Sequence, residues 1–471
     1  MIDTQEIRKK ILSLALTGKL VEQNSSDTPA HQLVESLSGS LNNHPFENDI
    51  SAQEIPYEIP DSWVWCRLSD IGTTNIGLTY HPQDVAEDGT IVIRSSNIIK
   101  GKMDYADLVK VKCQIRENQY LKRNDIVICA RNGSKALVGK CAIYEGDSDV
   151  ISFGAFMAIF RTPFFQYAYL YFNSPVFRRN FSNDDSKQIN QVTQNILKNS
   201  LIPIPPEEEQ KRITDKINSV FSFLDTIDTL QSQYQENLVT LKSKIIDAGI
   251  QGKLTEQLPE DGNAEELYQQ IQREKLALEK AGKIKKSKPR PPISDEEKPF
   301  DIPDNWKWVR LADVYEINPK VNADDNINAA FIPMERISAG FDRSFSYVVQ
   351  KWSEASKNHT RFCDGDVAFA KISPCFENRK SFVVENLPNS LGGGTTELII
   401  LRQKLIDPLF TYYLILDERF IRLGLSTYKG TVGQQRIKND VMFAYVFPLP
   451  PLAEQKRIVA KLEELLPLCE G

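Results

Sequence analysis

Apolar residues along 208–250 recur at alternating steps of four and three: Ile213, Ile217, Val220, Leu224, Ile227, Tyr234, Leu238, Leu241, Ile245 and Ala248, with Gln231 in the one slot that breaks the run. A seam of that period over five heptads predicts a rod of about 63 Å, at ~1.5 Å per residue, with a second helix lying along it. The same phase occurs near both ends of the chain, in Ile7, Ile11 and Leu14 and in Ile458, Leu462, Leu465 and Cys469. The partner is therefore expected to be stitched from the two terminal segments, running antiparallel to the rod. A long helix buried inside one domain is the plainer alternative.

On either side of this rod the pattern changes to short β-rich runs. TIVIRSSNII (90–99), DIVICA (125–130) and FMAIF (156–160) lie before it and ELIIL (397–401) after it, separated by glycine-bearing turns. Each region then turns helical and aromatic, at QYAYLYFNSPVFRR (166–179) and PLFTYYLILDERFIR (408–422). Two mixed α+β domains follow, over 56–204 and 301–449. The other segments are helical: 1–50, 450–471 and 205–300. The last of these ends in AEELYQQIQREKLALEKA (264–281) and the Pro- and Lys-rich linker KIKKSKPRPPISDEEKPFD (283–301).

The chain is also written twice. PPEEEQKRI (205–213) returns as PPLAEQKRI (450–458), and IPDSWVWCRLSDI (59–71) as IPDNWKWVRLADV (302–314). YLKRNDIVICAR (120–131) parallels TRFCDGDVAFAK (360–371), keeping Asp125 against Asp366. KKILSLALTGKLVEQ (9–23) returns as SKIIDAGIQGKLTEQ (243–257). The GKL and EQKR elements are continuous at 205–257 but divided between the two ends of the chain. This is a circular, pseudo-twofold organisation.

Composition narrows the function. Seven cysteines without a CxxC pair and four scattered histidines offer neither a zinc spacing nor a disulfide framework, which fits a reducing cytoplasm. The first twenty residues mix acids and bases, unlike a secretory signal, and no apolar run is long enough for a membrane span. The formal charge is −6, yet residues 90–200 hold 16 Lys+Arg against 9 Asp+Glu, and 320–446 hold 16 against 14. A basic footprint sits within an acidic chain.

Motifs for catalysis are missing. No phosphate loop, nucleophile elbow, paired-carboxylate motif or adenine-methyltransferase tetrapeptide occurs, and NSPV (173–176) only resembles the last. GGGTTE (392–397) precedes a strand, where a dinucleotide loop would follow one, and reads as a turn. The remaining candidates are binding residues. Arg94 lies in the first β run, and ARNGSK (130–135) places Arg131, Asn132, Ser134 and Lys135 at a strand exit. SKQINQVTQN (186–195) offers Lys187, Gln188, Asn190, Gln191 and Thr193. In the second region AKISP (370–374) and YKGTVGQQRIK (428–438) supply Lys371, Ser373, Lys429, Gln434, Gln435, Arg436 and Lys438. Gln and Asn suit adenine, Arg suits guanine, and Lys and Ser hold phosphate. A solvated loop is the alternative for any one of them.

Taken together, the two EQKR helices after apolar strands, the two IPD-W-W-RL segments and the GKL helices resemble the specificity subunit of type I restriction-modification systems. The resemblance spans nearly the whole chain. It implies two target recognition domains, 56–204 and 301–449, separated by an antiparallel coiled coil of conserved helices. Each domain would read one half of a bipartite site in double-stranded DNA. The coiled coil would set their spacing and dock two methyltransferase subunits, which would carry S-adenosylmethionine. A motor-nuclease subunit would cut, leaving this chain without cofactor, metal or catalysis of its own. Many members have a longer C-terminal helix, and here the matching half lies at 1–23, a permuted arrangement. A coiled-coil adaptor with two protein-binding modules and no DNA role is the rival reading.

Overall fold

A computed structural model describes the chain except for residues 43–45, 47–48, 147–149, 183–190, 285, 287–289, 432 and 471. It falls into two compact units, Met1–Gln231 and Ser232–Gly471. The helix Glu207–Ile250 gives its first half to one unit and its second half to the other. No helix among the described residues is long and apolar enough to cross a membrane.

In the first unit, strands lie in the order Thr73–Ile76, Met157–Arg161, Ile126–Cys129, Cys141–Ile143, all antiparallel. The second unit repeats that order with Glu316–Ile317, Leu398–Arg402, Val367–Ala370 and Ser381–Val383. Both faces of the two central strands in each sheet are buried, and the two-residue strand period sorts their side chains between two cores. Ile126 and Ile128 join the core that contains Trp63, while Val127 and Cys129 join a smaller core beneath the sheet of Val109–Val111, Val85–Ile93 and Ile151–Phe153. Likewise Val367 and Phe369 face one way and Ala368 the other.

Asp125 and Asp366 explain their recurrence in the sequence. Each is buried just before its central strand and accepts a backbone N–H three residues upstream, from Lys122 and Cys363. Each also takes a two-pronged guanidinium from the neighbouring strand: Arg161 at 2.7 and 2.7 Å, and Arg402 at 2.6 and 2.7 Å. A buried carboxylate is tolerated when its charge and lone pairs are met in this way.

GGGTTE was expected to be a turn, and the structure corrects this. Leu391–Gly394 is a buried strand, parallel to Asn328–Ile332 and antiparallel to Thr360–Cys363. A Cβ at Gly393 would collide with the Ala355 carbonyl and one at Gly392 with the Phe362 ring, so glycine is what lets the neighbours approach.

The second short-strand pair in each unit brings the duplicated letters together. Val64–Arg67 pairs with Leu201–Ile204, and Lys307–Arg310 with Val446–Leu449. The EQKR helix follows at once. Glu209 Oε2 accepts from Trp63 Nε1 at 2.9 Å, and Glu454 Oε2 from Trp306 Nε1 at 2.7 Å. Gln210 and Gln455 each donate back to a proline carbonyl, of Pro205 and Pro450, at 2.9 Å. Arg212 pairs with Asp27 and Arg457 with Asp261. Only the lysines of the motif, Lys211 and Lys456, lie exposed. Gly18 and Gly252 end the GKL helices at φ of +69° and +72°, where any Cβ would press on Pro60 or Pro303 of the IPD segments.

The long helix meets its two partners separately. In the first unit the N-terminal helix Thr4–Leu16 runs antiparallel along it: Thr4 donates to Asp228, Arg8 pairs with Asp225 and Asp228, and Gln231 meets the backbone of Ile2. In the second, Ile458 and Leu462 of the helix Leu452–Leu465 pack on Gly249, and Lys242 faces Glu470 at 3.6 Å. Two expected details differ. Burial on the N-terminal helix falls on Leu12, Ala15 and Leu16, leaving Leu14 42% exposed, because this helix also packs against the helices Phe165–Phe172 and Pro175–Ser182. In the second half of the long helix burial falls on Ile246 and Ile250, while Tyr234 and Leu241 are 51% and 46% exposed. The cause is length. At ~1.5 Å per residue the two terminal helices together supply about 40 Å of cover, and the long helix extends about 66 Å.

Candidate nucleic-acid interface

Both central strands leave their sheets at the same kind of edge. After Ile126–Cys129 the backbone N–H groups of Ala130 and Arg131 reach the Phe156 carbonyl, and the Ala130 carbonyl accepts from Val192. Arg131 and Gln191 thereby sit opposite each other in a short antiparallel bridge. After Val367–Ala370 the Lys371 N–H reaches the Glu397 carbonyl, and the Lys371 carbonyl accepts from Ile437. Ile372 and Arg436 form the matching bridge. One strand exit and one returning segment make the frame in each unit, and a short helix follows the return: Gln194–Asn199 or Asn439–Phe443.

The side chains on this frame differ between the units. In the first, Arg131 is exposed with its guanidinium 5.7 Å from the centre of the Phe156 ring, itself 61% exposed. Asn132 donates to Ser95 Oγ at 3.0 Å and accepts from the Ser134 backbone at 2.9 Å, which ties the exit loop to the segment after Arg94. Arg94 is engaged by Asp107 at 2.8 Å. Ser134, Lys135 and Gln191 are exposed. The Thr193 hydroxyl accepts from the Ile196 N–H and caps the following helix, so its oxygen serves the fold. Lys187, Gln188 and Asn190 lie outside the described residues.

In the second unit a hairpin carries the group. Lys429 and Arg436 exchange backbone hydrogen bonds at 3.2 and 3.0 Å, and Gln434 and Gln435 precede the return. Arg436 donates to Glu397 through Nε at 2.9 Å and Nη2 at 2.7 Å. Those bonds hold the Glu397 carboxyl below its ordinary range and raise the Arg436 guanidinium. Lys371 is half-buried near the same carboxylate, and its charge adds to the effect. Ser373 is 8% exposed and its hydroxyl donates to Glu377 at 2.9 Å, which leaves it facing inward. Lys429, Gln434 and Lys438 are exposed.

The structure gathers many of the sequence candidates along these two rims and adds three residues that the sequence did not single out. Ser95, Phe156 and Glu397 are each remote in sequence from the residue they hold. An aromatic and an acid opening otherwise apolar β runs, FMAIF and ELIIL, were the only signals. Among the described residues no cluster of His, Cys, Asp and Glu could hold a metal ion.

Two copies of one α+β unit, each ending its central strand in a polar, arginine-bearing rim, define a tandem-repeat protein. The description "Type I restriction modification DNA specificity domain" belongs to a family whose model matches residues 60–235 and 303–469, and the chain is a member of that family. The type I restriction enzyme EcoAI specificity subunit of Escherichia coli is 43% identical over 234 residues, covering 49% of this chain and 40% of that protein. The EcoEI specificity subunit of the same species is 40% identical over an equal span, 39% of its length. The alignments thus span about two fifths of those relatives. At 24% identity the EcoKI specificity subunit of Escherichia coli K12 aligns over 87% of this chain and 83% of its own length. A solved chain of a type I R-M system shares the fold, with a TM-score of 0.58 at 18% identity over 88% of this chain and 92% of that one.

Proposed function

We propose that this chain is the DNA sequence-recognition subunit of a type I restriction-modification complex and performs no catalysis itself. Residues 56–204 and 301–449 act as target recognition domains, each reading one half of a bipartite, asymmetric site in double-stranded DNA. Residues 1–50, 205–300 and 450–471 form the helical frame that sets the gap and docks two methyltransferase subunits. Those subunits hold S-adenosylmethionine, and restriction subunits complete the assembly in the cytoplasm.

One observation carries the reading. The same strand-exit frame occurs twice with different side chains on it, Arg131 opposite Gln191 in one unit and Ile372 opposite Arg436 in the other. A frame that repeats while its hydrogen-bonding groups change suits two readers of unlike half-sites, because base edges are told apart by donor and acceptor pattern. Arg, Gln and Lys at these rims can meet base edges and phosphate. The experiment exchanges residues 60–200 for the corresponding module of a relative and maps methylation genome-wide in cells expressing the complex. One half of the methylated site should change and the other persist. A change in both halves defeats the modular reading.

A further inference from the structure

We propose that Glu397 is a positioning residue for base choice: it grips the guanidinium of Arg436 by its side edge, so that the end edge is presented to a guanine. This inference rests on the DNA-reading role proposed above.

A guanidinium carries five N–H groups in a rigid plane. Glu397 uses the Nε hydrogen and one hydrogen of Nη2. The remaining hydrogens, two on Nη1 and one on Nη2, take no partner among the described residues, and the Arg436 side chain is 50% exposed. Nη1 and Nη2 together form the edge that matches O6 and N7 of guanine in the major groove. Both members of the pair are anchored behind. Arg436 is fixed through its backbone to Lys429, and the Glu397 carbonyl accepts from the Lys371 N–H at 2.8 Å. The Glu397 side chain is only 21% exposed. A long side chain held in one pose before binding loses less entropy on binding, and it faces one base instead of sampling several.

The first unit supports this from a different chemistry. Phe156 occupies the position equivalent to Glu397, since its carbonyl likewise receives the N–H of the residue after the central strand. It too holds a guanidinium, that of Arg131, by its ring face. The position therefore serves as an arginine rest in both units, with a carboxylate in one and an aromatic in the other. The carboxylate has an additional consequence, because it cancels the arginine's charge towards phosphate. Removing it should maintain or raise affinity for DNA of any sequence while lowering the choice of base.

The test uses the full chain in its complex with two probes. One is a pool of fully randomised duplexes, with the bound fraction sequenced. The other is sheared genomic DNA titrated with salt. In the wild type, guanine should be enriched at one position in the half-site read by 301–449. Glu397→Gln should lower that enrichment by about tenfold, within the range a bidentate arginine contact supplies, and bind sheared DNA as well as or better than wild type. Glu397→Asp keeps the charge but not the reach, so it should lose enrichment without gaining affinity for sheared DNA. Arg436→Gln should abolish the enrichment, and adding Glu397→Gln to it should change nothing further. Equal loss on both probes for Glu397→Gln, or unaltered guanine enrichment, overturns the inference and leaves the DNA-reading role standing. A wild-type complex with no base preference overturns both.

Discussion

Trp63 donates its indole N–H to Glu209, and the same bond joins Trp306 to Glu454, 243 and 245 positions further on. All four residues are buried. Glu209 also accepts from Gln23 at 2.6 Å, and Glu454 from Thr255 at 3.2 Å. Each bond therefore closes three segments, the GKL helix end, the IPD-W strand and the EQKR helix, into one joint.

Breaking that joint should be costly. Glu209→Ala leaves a buried indole N–H without an acceptor, a loss of about 1–3 kcal/mol. Glu209→Gln keeps an acceptor oxygen and should cost less. Glu454→Ala and Glu454→Gln should follow the same order. Urea unfolding of the full chain measures it, and alanine no worse than glutamine at both sites would remove the hydrogen bond from the account.

Acid titration should separate two carboxylates. Burial pushes the Glu209 carboxyl above its ordinary value of 4.5, against the pull of Trp63, Gln23 and Arg212. Its favourable contribution is complete below that value and is lost as pH rises through the folded-state pKa. The Glu397 carboxyl is held below 4.5, chiefly by the Arg436 hydrogen bonds. Its contribution is present above 4.5 and is lost as pH falls through the depressed value. Glu209→Gln and Glu397→Gln should therefore change the stability-versus-pH curve in opposite senses, and a change of the same sign would contradict the assignment.

Gly18 and Gly252 should tolerate no side chain. Alanine at either site meets a positive φ and a proline ring, and should destabilise by more than about 1 kcal/mol. Gly39 offers the control, since a Cβ there meets nothing within 4 Å. Thermal unfolding of the three alanine variants should rank Gly39 far below the other two.

The middle of the long helix should be structurally silent. Tyr234→Glu and Leu241→Glu fall on exposed positions and should leave stability within about 0.5 kcal/mol. Ile250→Ala, in the core with Trp306 and Ile458, should cost about 2–5 kcal/mol. Loss of methyltransferase co-purification in the two glutamate variants, without loss of stability, is the outcome expected if that stretch docks a partner.

Charge contacts and base contacts should part company in binding assays. Arg436→Ala is expected to weaken binding and relax the choice of one base. Lys187→Ala and Lys135→Ala should weaken binding to all sequences and lower the salt slope by about one each. Equal loss on specific and random DNA for Arg436→Ala reduces that residue to a phosphate contact.

Much of this protein was legible in one dimension because its repeats are spelled in residues with fixed local duties. The doubled EQKR, IPD-W and GKL letters announced two units, and the period of four and three announced the long helix. Those signals survive without coordinates because a cap, a turn glycine or an apolar stripe acts on near neighbours. The sequence alone also determined that Asp125 and Asp366 correspond. What only tertiary structure decided lies between residues distant in sequence. Leu14 lost its place on the seam because the N-terminal helix packs against a domain as well as a helix. Gly392 and Gly393 became a strand because the Phe362 ring and the Ala355 carbonyl, each some thirty residues or more away in sequence, press on them. Arg131 found Phe156 and Arg436 found Glu397 because a sheet edge brings the start of one strand beside the exit of another, a juxtaposition that no local pattern encodes.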